Sequence, residues 1–299
     1  MDMLEIIVPA SSANVGPGFD SAGIALTRYL TIKVKKAEEW KFIHETPLVP
    51  EVNHYKNHYI YKIATKVAEW NSCTLPPCHV TMHTEIPLAR GLGSSASAIV
   101  ASIELVNQLC GLNLTEEEKL DFAVKIEGHP DNVAAALLGG FVISVKMGEE
   151  TKYKKLPKLD MDLVVYIPSF ELKTDESRKV LPKQFKMKDA ATASAISNLM
   201  VSSLLTGDYK LAGKMMESDL FHETYRAKLI PNYYEIRSHA RELGAYGTVI
   251  SGAGPTMISF VPQGEGEKIA EKMRTIFPDY DIEKLEIDEE GLRVKTYED

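Results

Sequence analysis

Pro87-Leu88-Ala89-Arg90-Gly91-Leu92-Gly93-Ser94-Ser95-Ala96-Ser97 carries more physical information than any other stretch of this 299-residue chain. Ahead of it Val80 to Glu85 reads as a short strand. Behind it Ile99, Ile103, Val106 and Cys110 mark one face of a helix closed by Gly111. The order strand, glycine loop, helix places unpaired N–H groups and the positive end of a helix dipole beside a backbone that two glycines open to close approach. Ser94, Ser95 and Ser97 add hydroxyls that can donate hydrogen bonds or ligate a metal. Together they make a cradle for a phosphate chain. A serine-capped helix after a glycine turn would look the same over a shorter span. Six fixed positions, Gly91 to Ala96, arise by chance in a chain of this size about once in 10⁴ to 10⁵ sequences at ~7% usage per residue type. It is not a Walker loop, because no Gly-Lys-Ser/Thr follows and Arg90 precedes the second glycine.

Working outward, Leu4 to Val8 and Thr27 to Lys35 read as strands. In the second, Leu30, Ile32 and Val34 face one way and Tyr29, Thr31, Lys33 and Lys35 the other, so one face is buried. Pro9 to Ser21 between them is too long and too polar for a hairpin turn and reads as a functional loop. Ile60, Ile63, Ala64, Val67 and Ala68 predict an amphipathic helix ending near Asn71. Thr115 and Glu118 form a capping box that opens a helix to about Ile126, where Gly128 and Pro130 break it. Gly140 to Val145 reads as a strand and the polar Gly148 to Leu159 as a surface hairpin or crossover. A domain boundary beside it divides the chain into residues 1–155 and 156–299. The second part holds a buried strand, Met161 to Ile167, and helical patterns over Asp189–Thr206, Asp208–Glu217 and Tyr233–Leu243. Two strands follow around a glycine turn in Val249–Phe260, then a helix, Gly266–Ile276, and a strand, Tyr280–Ile287. The class is α+β, with helices on one face of the C-terminal sheet.

Hydrophobic residues at 44% and charged residues at 25% exclude collagen-like, disulfide-scaffold and wholly disordered chains. A net charge of −8 opposes long-range attraction to nucleic acid or anionic membranes. Cys73, Cys78 and Cys110 are too few for a disulfide framework and suit a reducing cytoplasm. Met1 to Pro9, interrupted by Asp2 and Glu5, lacks the pattern of a secretory signal, and the apolar run Ala134 to Val145 falls short of the ~20 residues of a membrane helix. Neither nucleic acid nor membrane is expected as a partner.

Pro87 to Ser97 resembles the central nucleotide motif of the GHMP kinases, a family named for galactokinase, homoserine kinase, mevalonate kinase and phosphomevalonate kinase. Pro9-Ala-Ser-Ser-Ala-Asn-Val-Gly-Pro-Gly-Phe-Asp20 and Ser251-Gly-Ala-Gly-Pro-Thr256 agree with the family in order and spacing, so the resemblance spans nearly the whole chain. Ala13 to Asp20 and Glu127-Gly-His-Pro-Asp-Asn-Val133 are most similar to the branch that acts on homoserine. The resemblance implies the two-domain α+β GHMP kinase fold: an N-terminal domain bearing the glycine/serine phosphate loop, a ferredoxin-like C-terminal domain, and the substrate between them. It implies transfer of the γ-phosphoryl group of ATP, with Mg²⁺, to the side-chain hydroxyl of L-homoserine, giving O-phospho-L-homoserine on the way to threonine. It leaves a homodimer open.

Residue by residue, the resemblance implies that Pro87 to Ser97 hold the nucleotide phosphates and that Glu127 and Ser95 ligate the metal. Asn14 and Asp20 contact the amino acid, Arg178 and Arg226 hold its carboxylate, and Gly252 lies against the substrate or the phosphate loop. Asn132 stands where mevalonate kinase-like relatives carry an aspartate proposed as base. Asparagine cannot accept a proton, so catalysis would rest on positioning and charge stabilisation, with His129 or Asp131 as base if the register of Glu127 to Asn132 is shifted.

Chemistry supports part of this independently. A zwitterion with a distal hydroxyl needs a carboxylate for its ammonium and a guanidinium fork for its carboxylate. Taken singly, Asp20 reads as a turn carboxylate, either arginine as a solvated charge, and Ser251 to Thr256 as a plain hairpin turn. A glutamate at a helix C-terminus, such as Glu127, is unfavourable unless a cation compensates it. His79 and His83 share a strand face without a third ligand, and Trp40 and Trp70 read as packing. Two other readings stay open: a GHMP kinase acting on mevalonate or a sugar, and a non-catalytic metabolite-binding protein of the same fold.

Overall fold

A computed structural model describes residues 3–297. The chain opens with two long antiparallel strands, β1 (Met3–Ala13) and β2 (Ala22–Lys36), in register from Leu4 opposite Val34 to Ala13 opposite Gly23. The predicted alternation holds in β2, where Leu30, Ile32 and Val34 are buried and Lys33 and Lys35 exposed. Pro9 to Ala13, expected in a loop, instead continue β1 past a register shift at Pro9/Ala10, and only Asn14 to Ser21 form the turn. These serines are strand residues because their buried hydroxyls find side-chain partners, Asn132 for Ser11 and Ser251 for Ser12.

Next come β3 (Lys41–His44), α1 (Tyr59–Trp70), β4 (Cys78–Thr84), α2 (Ser94–Cys110), α3 (Glu116–Glu127), α4 (Asp131–Leu138), β5 (Phe141–Met147) and β6 (Glu150–Lys155), and β3 to β6 join β1 and β2 in a first sheet. α1 buries the five residues its spacing predicts. α2 ends at Gly111 with φ 62°, and both bonds of the Thr115–Glu118 capping box are present. α4 was not expected. Every residue from Val133 to Leu138 is buried, so the helix has no polar face to reveal its period. Trp70 stacks on Phe122, and Trp40 lies against Phe42 and Tyr61, so both pack as expected.

The remaining elements are β7 (Met161–Pro168), α5 (Thr174–Lys179), α6 (Met187–Leu205), α7 (Tyr209–Met216), α8 (Glu223–Arg226), α9 (Tyr233–Glu242), β8 (Gly247–Ile250), β9 (Met257–Pro262), α10 (Gly266–Ile276), β10 (Tyr280–Leu285) and β11 (Arg293–Tyr297). Four of them form an antiparallel sheet in the order β10-β7-β9-β8. β7 is buried at every position because both faces are covered. Val164 and Tyr166 pack with Ile236 of α9 and Ile269 of α10. Leu163 and Val165 belong to the larger core that also takes Met200 of α6, Met216 of α7 and the first sheet. The expectation of helices on one face is corrected accordingly. β11 returns to the edge of the first sheet, pairing Ile7 with Arg293 and Met3 with Tyr297. No helix among the described residues is long and apolar enough to cross a membrane.

Candidate active site

β4 leads into the glycine loop and α2 leaves it, as the sequence order requires. Gly93 stands at the N-cap of α2 with φ 70°, and a Cβ there would lie 2.1 Å from Ser11 Oγ. A Cβ on Gly91, at φ 79°, would lie 2.3 Å from the Ser251 carbonyl oxygen. Both glycines are therefore demanded by close neighbours as well as by backbone conformation. Ser97 Oγ donates to the Pro9 carbonyl at 2.8 Å and Ser251 Oγ to the Gly91 carbonyl at 2.6 Å. The Gly252 N–H reaches Ala13 O at 3.0 Å. Ser251 to Thr256 thus clamps the phosphate loop against the end of β1. Gly93→Ala is expected to lower kcat/KM for ATP about 100-fold or more, since a shift of ~1 Å in a positioning group has that consequence. Calorimetric titration with an ATP analogue checks it, and unchanged affinity would remove the loop from the nucleotide site.

Arg90 lies in the loop, yet its guanidinium is occupied by the protein. It donates to Leu88 O at 2.7 Å, Pro168 O at 3.2 Å and Ser169 O at 2.7 Å, and pairs with Glu171 at 3.2 Å. It ties the loop to the end of β7. Beside the first turn of α2 opens a cavity of about 280 Å³ with a mostly apolar wall that includes Val49, Val52, Met82, Ile86 and Leu88, with Asn57, His58, Thr84 and Ser94 also on it. Sequence reasoning missed it, because the wall is assembled from five separated segments. The available signal was Leu48-Val-Pro50, apolar in a polar connection and still exposed at Leu48.

The end of α3 brings an acid to the same place. Exposed Ser95 hydrogen-bonds through Oγ to Glu127 Oε2 at 3.1 Å and to the Tyr59 hydroxyl at 2.9 Å. Burial raises the pKa of Glu127, Asp131 adds to the rise, and His129, Ser95 and Arg178 oppose it. His129 Nδ1 lies 2.7 Å from Oδ1 of Asp131, the buried first residue of α4. Burial alone would lower the His129 pKa, but Asp131, Glu127 and Asp20 together raise it. Asp20, His129 and Asp131 present ligand atoms within 4.8 Å of one another. Asn132 Oδ1 accepts from Ser11 Oγ at 2.9 Å, which fixes its amide.

Opposite stands the Asn14–Ser21 turn. Asn14, Val15, Gly16 and Asp20 all have positive φ, and for β-branched Val15 at 48° this strain amounts to about 1–3 kcal/mol. Asn14 holds the turn, accepting from the Asp20 N–H at 3.0 Å and donating to Gly252 O at 2.8 Å. The Asp20 carboxylate takes a bidentate fork from Arg178, at 2.6 and 3.2 Å. Arg226, read singly as a surface charge, is 1% exposed. It donates to Gly252 O at 3.1 Å and Ser177 O at 3.4 Å, and burial, with Arg178 adding to it, lowers its pKa to about 10. Both guanidinium carbons lie 5.5 Å from the ring of Phe19, a residue not singled out in the sequence. Asn14, Asp20, Arg178, Arg226 and Gly252 therefore converge, next to Ser95, Glu127 and Asn132. His79 and His83 lie apart on β4, His83 facing Glu45 at 4.0 Å.

Behind Arg226, Glu223 is buried between Tyr233 and the Ile250 N–H, and burial pushes its carboxyl up to about 7, against both hydrogen bonds. Its folded pKa exceeds the unfolded one, so the stability attached to it is present at low pH and lost as pH rises through about 7. The Tm of Glu223→Gln relative to wild type should therefore rise from about pH 5 to about pH 8. Thermal unfolding across that range checks it, and a constant difference would contradict it.

Residues 58–140 match the family model of the GHMP kinases N terminal domain and residues 200–279 that of the GHMP kinases C terminal domain. The chain belongs to the GHMP kinases, and is an ATP-dependent kinase with their α+β fold. Within that family it groups with the homoserine kinases. That of Oceanobacillus iheyensis is 50% identical over 292 residues, 97% of this chain and 98% of that one. That of Lactococcus lactis subsp. lactis is 46% identical over 98% of this chain and 99% of its own. The solved structure of homoserine kinase from Cytophaga hutchinsonii has a TM-score of 0.86 at 28% identity, covering 99% of this chain and 98% of that one. L. major mevalonate kinase, at 19% identity and a TM-score of 0.71 over 93% of this chain and 94% of its own, shares the fold.

Proposed function

We propose that the chain transfers the γ-phosphoryl group of ATP to the side-chain hydroxyl of L-homoserine, giving ADP and O-phospho-L-homoserine. The observation that carries this is the charge pattern facing the phosphate loop: a carboxylate, Asp20, forked to Arg178, with Arg226 buried behind. An α-amino acid headgroup matches that pattern, its ammonium on Asp20 and its carboxylate on the guanidinium groups. Mevalonate and sugars lack the ammonium.

Glu127 and Ser95 are hard oxygen donors 3.1 Å apart, and a half-buried carboxylate with a raised pKa is a group that a cation would relieve. They fit Mg²⁺, which when bound neutralises charge on the phosphate oxygens. The loop from Gly91 to Ser97 orients the phosphate chain with backbone N–H groups, and the apolar cavity beside α2 takes the base. Asn132, held by Ser11, orients the acceptor hydroxyl. Against the effect of burial, Asp131, Glu127 and Asp20 favour the protonated form of His129, and this disfavours it as a base. Phosphoryl transfer through a loose transition state tolerates this, with the proton leaving on a phosphate oxygen. The three free cysteines suit a cytoplasmic enzyme.

A coupled ADP-release assay over homoserine, serine, threonine, mevalonate and galactose tests the assignment. Homoserine-dependent turnover of about 1–100 s⁻¹ is expected. Turnover with another alcohol and none with homoserine would transfer the site to that substrate. Homoserine binding with no ADP on prolonged incubation would favour a metabolite sensor.

A further inference from the structure

His222 is fully buried, 0% exposed, and has no role in the chemistry above. Its Nε2 lies 2.8 Å from the carbonyl oxygen of Gly16, in the turn that presents Asp20. A carbonyl only accepts, so Nε2 carries the proton and donates. Its Nδ1 lies 3.2 Å from Arg226 Nη1, and a guanidinium only donates, so Nδ1 is the acceptor. Both contacts require the same neutral tautomer. A proton on Nδ1 would face the Arg226 N–H and break one of the two bonds.

The surroundings hold the ring in that state. Asp219 Oδ2 lies 3.8 Å from Nε2, but the Asp219 carboxylate is occupied by the backbone N–H groups of Phe221, His222 and Glu223, at 3.0, 2.7 and 2.8 Å. Phe19 stacks on the imidazole with centroids 5.4 Å apart and 28° between planes. Burial lowers the His222 pKa to about 4, and Arg226 adds to that, with Asp219, Gly16 and Asp20 opposing. Gly16 itself is pinned, because a Cβ there would lie 2.2 Å from the Met216 carbonyl oxygen. A rigid spacer thus joins the turn that offers the carboxylate to the arginine behind it.

We propose that His222 is a positioning residue that fixes the separation between Asp20 and Arg226, and so selects substrates carrying an α-ammonium and an α-carboxylate on one carbon. This deepens the homoserine reading and rests on it. The ring acts through its neighbours, as donor to the Asp20 turn and acceptor from Arg226. Its two bonds can be removed one at a time. Glutamine places an amide donor near the Nε2 position and keeps the Gly16 link while removing the acceptor for Arg226. Asparagine places its carbonyl near Nδ1 and keeps the Arg226 acceptor.

The test compares kcat/KM for L-homoserine with that for 3-aminopropan-1-ol, the same alcohol without the carboxylate, in wild type, His222→Gln and His222→Asn. The proposal expects His222→Gln to lower the homoserine value about 10- to 100-fold while the 3-aminopropan-1-ol value and the KM for ATP stay within about twofold. His222→Asn should retain more of the discrimination. An equal fall for both alcohols in His222→Gln, or an unchanged ratio, would overturn the proposal. A second measurement needs no variant: ¹⁵N NMR of the imidazoles in the wild-type protein should show His222 as the neutral Nε2–H tautomer from about pH 5 to about pH 8. An imidazolium or an Nδ1–H tautomer there would overturn it too. Absence of homoserine turnover in the wild type removes the proposed substrate, and the tautomer still decides the placement of His222.

Discussion

Replacement of Arg178 by alanine is expected to lower kcat/KM for homoserine about 30- to 1,000-fold and to leave the KM for ATP nearly unchanged. The side chain is 35% exposed and its fork to Asp20 is the main polar contact it makes. Its removal strips a carboxylate receptor from the site and takes from Asp20 its bidentate partner in a partly desolvated turn, an effect of about 2–4 kcal/mol. Solvent screening at a third exposure places the result toward the lower end. Because the same contact aligns the hydroxyl with the γ-phosphate, part of the loss belongs to kcat. Lysine keeps the charge and loses the planar fork, so Arg178→Lys should rescue in part. Arg226→Ala should act in the same direction, but with a fall in Tm as well, since that guanidinium is buried against two carbonyls. Steady-state kinetics with thermal unfolding separates the two. Unchanged homoserine kinetics in both variants would take the arginines out of the site.

Glu127→Gln should lower kcat about 100- to 1,000-fold, as expected for loss of one preorganised electrostatic partner of the phosphates, and should raise the Mg²⁺ concentration needed for half-maximal rate. The amide is nearly isosteric and can still accept from Ser95, so folding is preserved while the charge is lost. The direction of its pKa shift fits this role: burial has already made the anion expensive, and only a neighbouring cation makes it useful. Rate measurements against Mg²⁺ at saturating homoserine check the prediction. A kcat within about twofold of wild type and the same Mg²⁺ requirement would place the metal on Asp131 or Asp20 instead.

How much of this was legible in the sequence depended on the physics of each element. The phosphate loop was legible because its reasons are local, a helix start and two glycines at positive φ. So were α1 and the capped α3, each half-solvated and therefore periodic. α4 was hidden because all of its faces are covered, and β1 was cut short because buried serines look like loop residues until their partners are known. β11 carries charged residues on an exposed edge and gave no apolar signal. The site followed the same division. Family resemblance supplied Asp20, Arg178 and Arg226. The roles of Phe19, His222 and the apolar cavity depend on contacts between residues up to about 200 positions apart, such as Gly16 with His222, and no local pattern encodes such a contact.

The most direct measurement of the central claim is a ³¹P NMR spectrum of the chain incubated with ATP, Mg²⁺ and L-homoserine. A charge pattern built for an amino acid headgroup beside a phosphate loop predicts a new phosphomonoester resonance, coupled to the methylene protons of the homoserine side chain and growing in step with ADP. A spectrum showing ADP with inorganic phosphate alone, or no change that depends on homoserine, would contradict it.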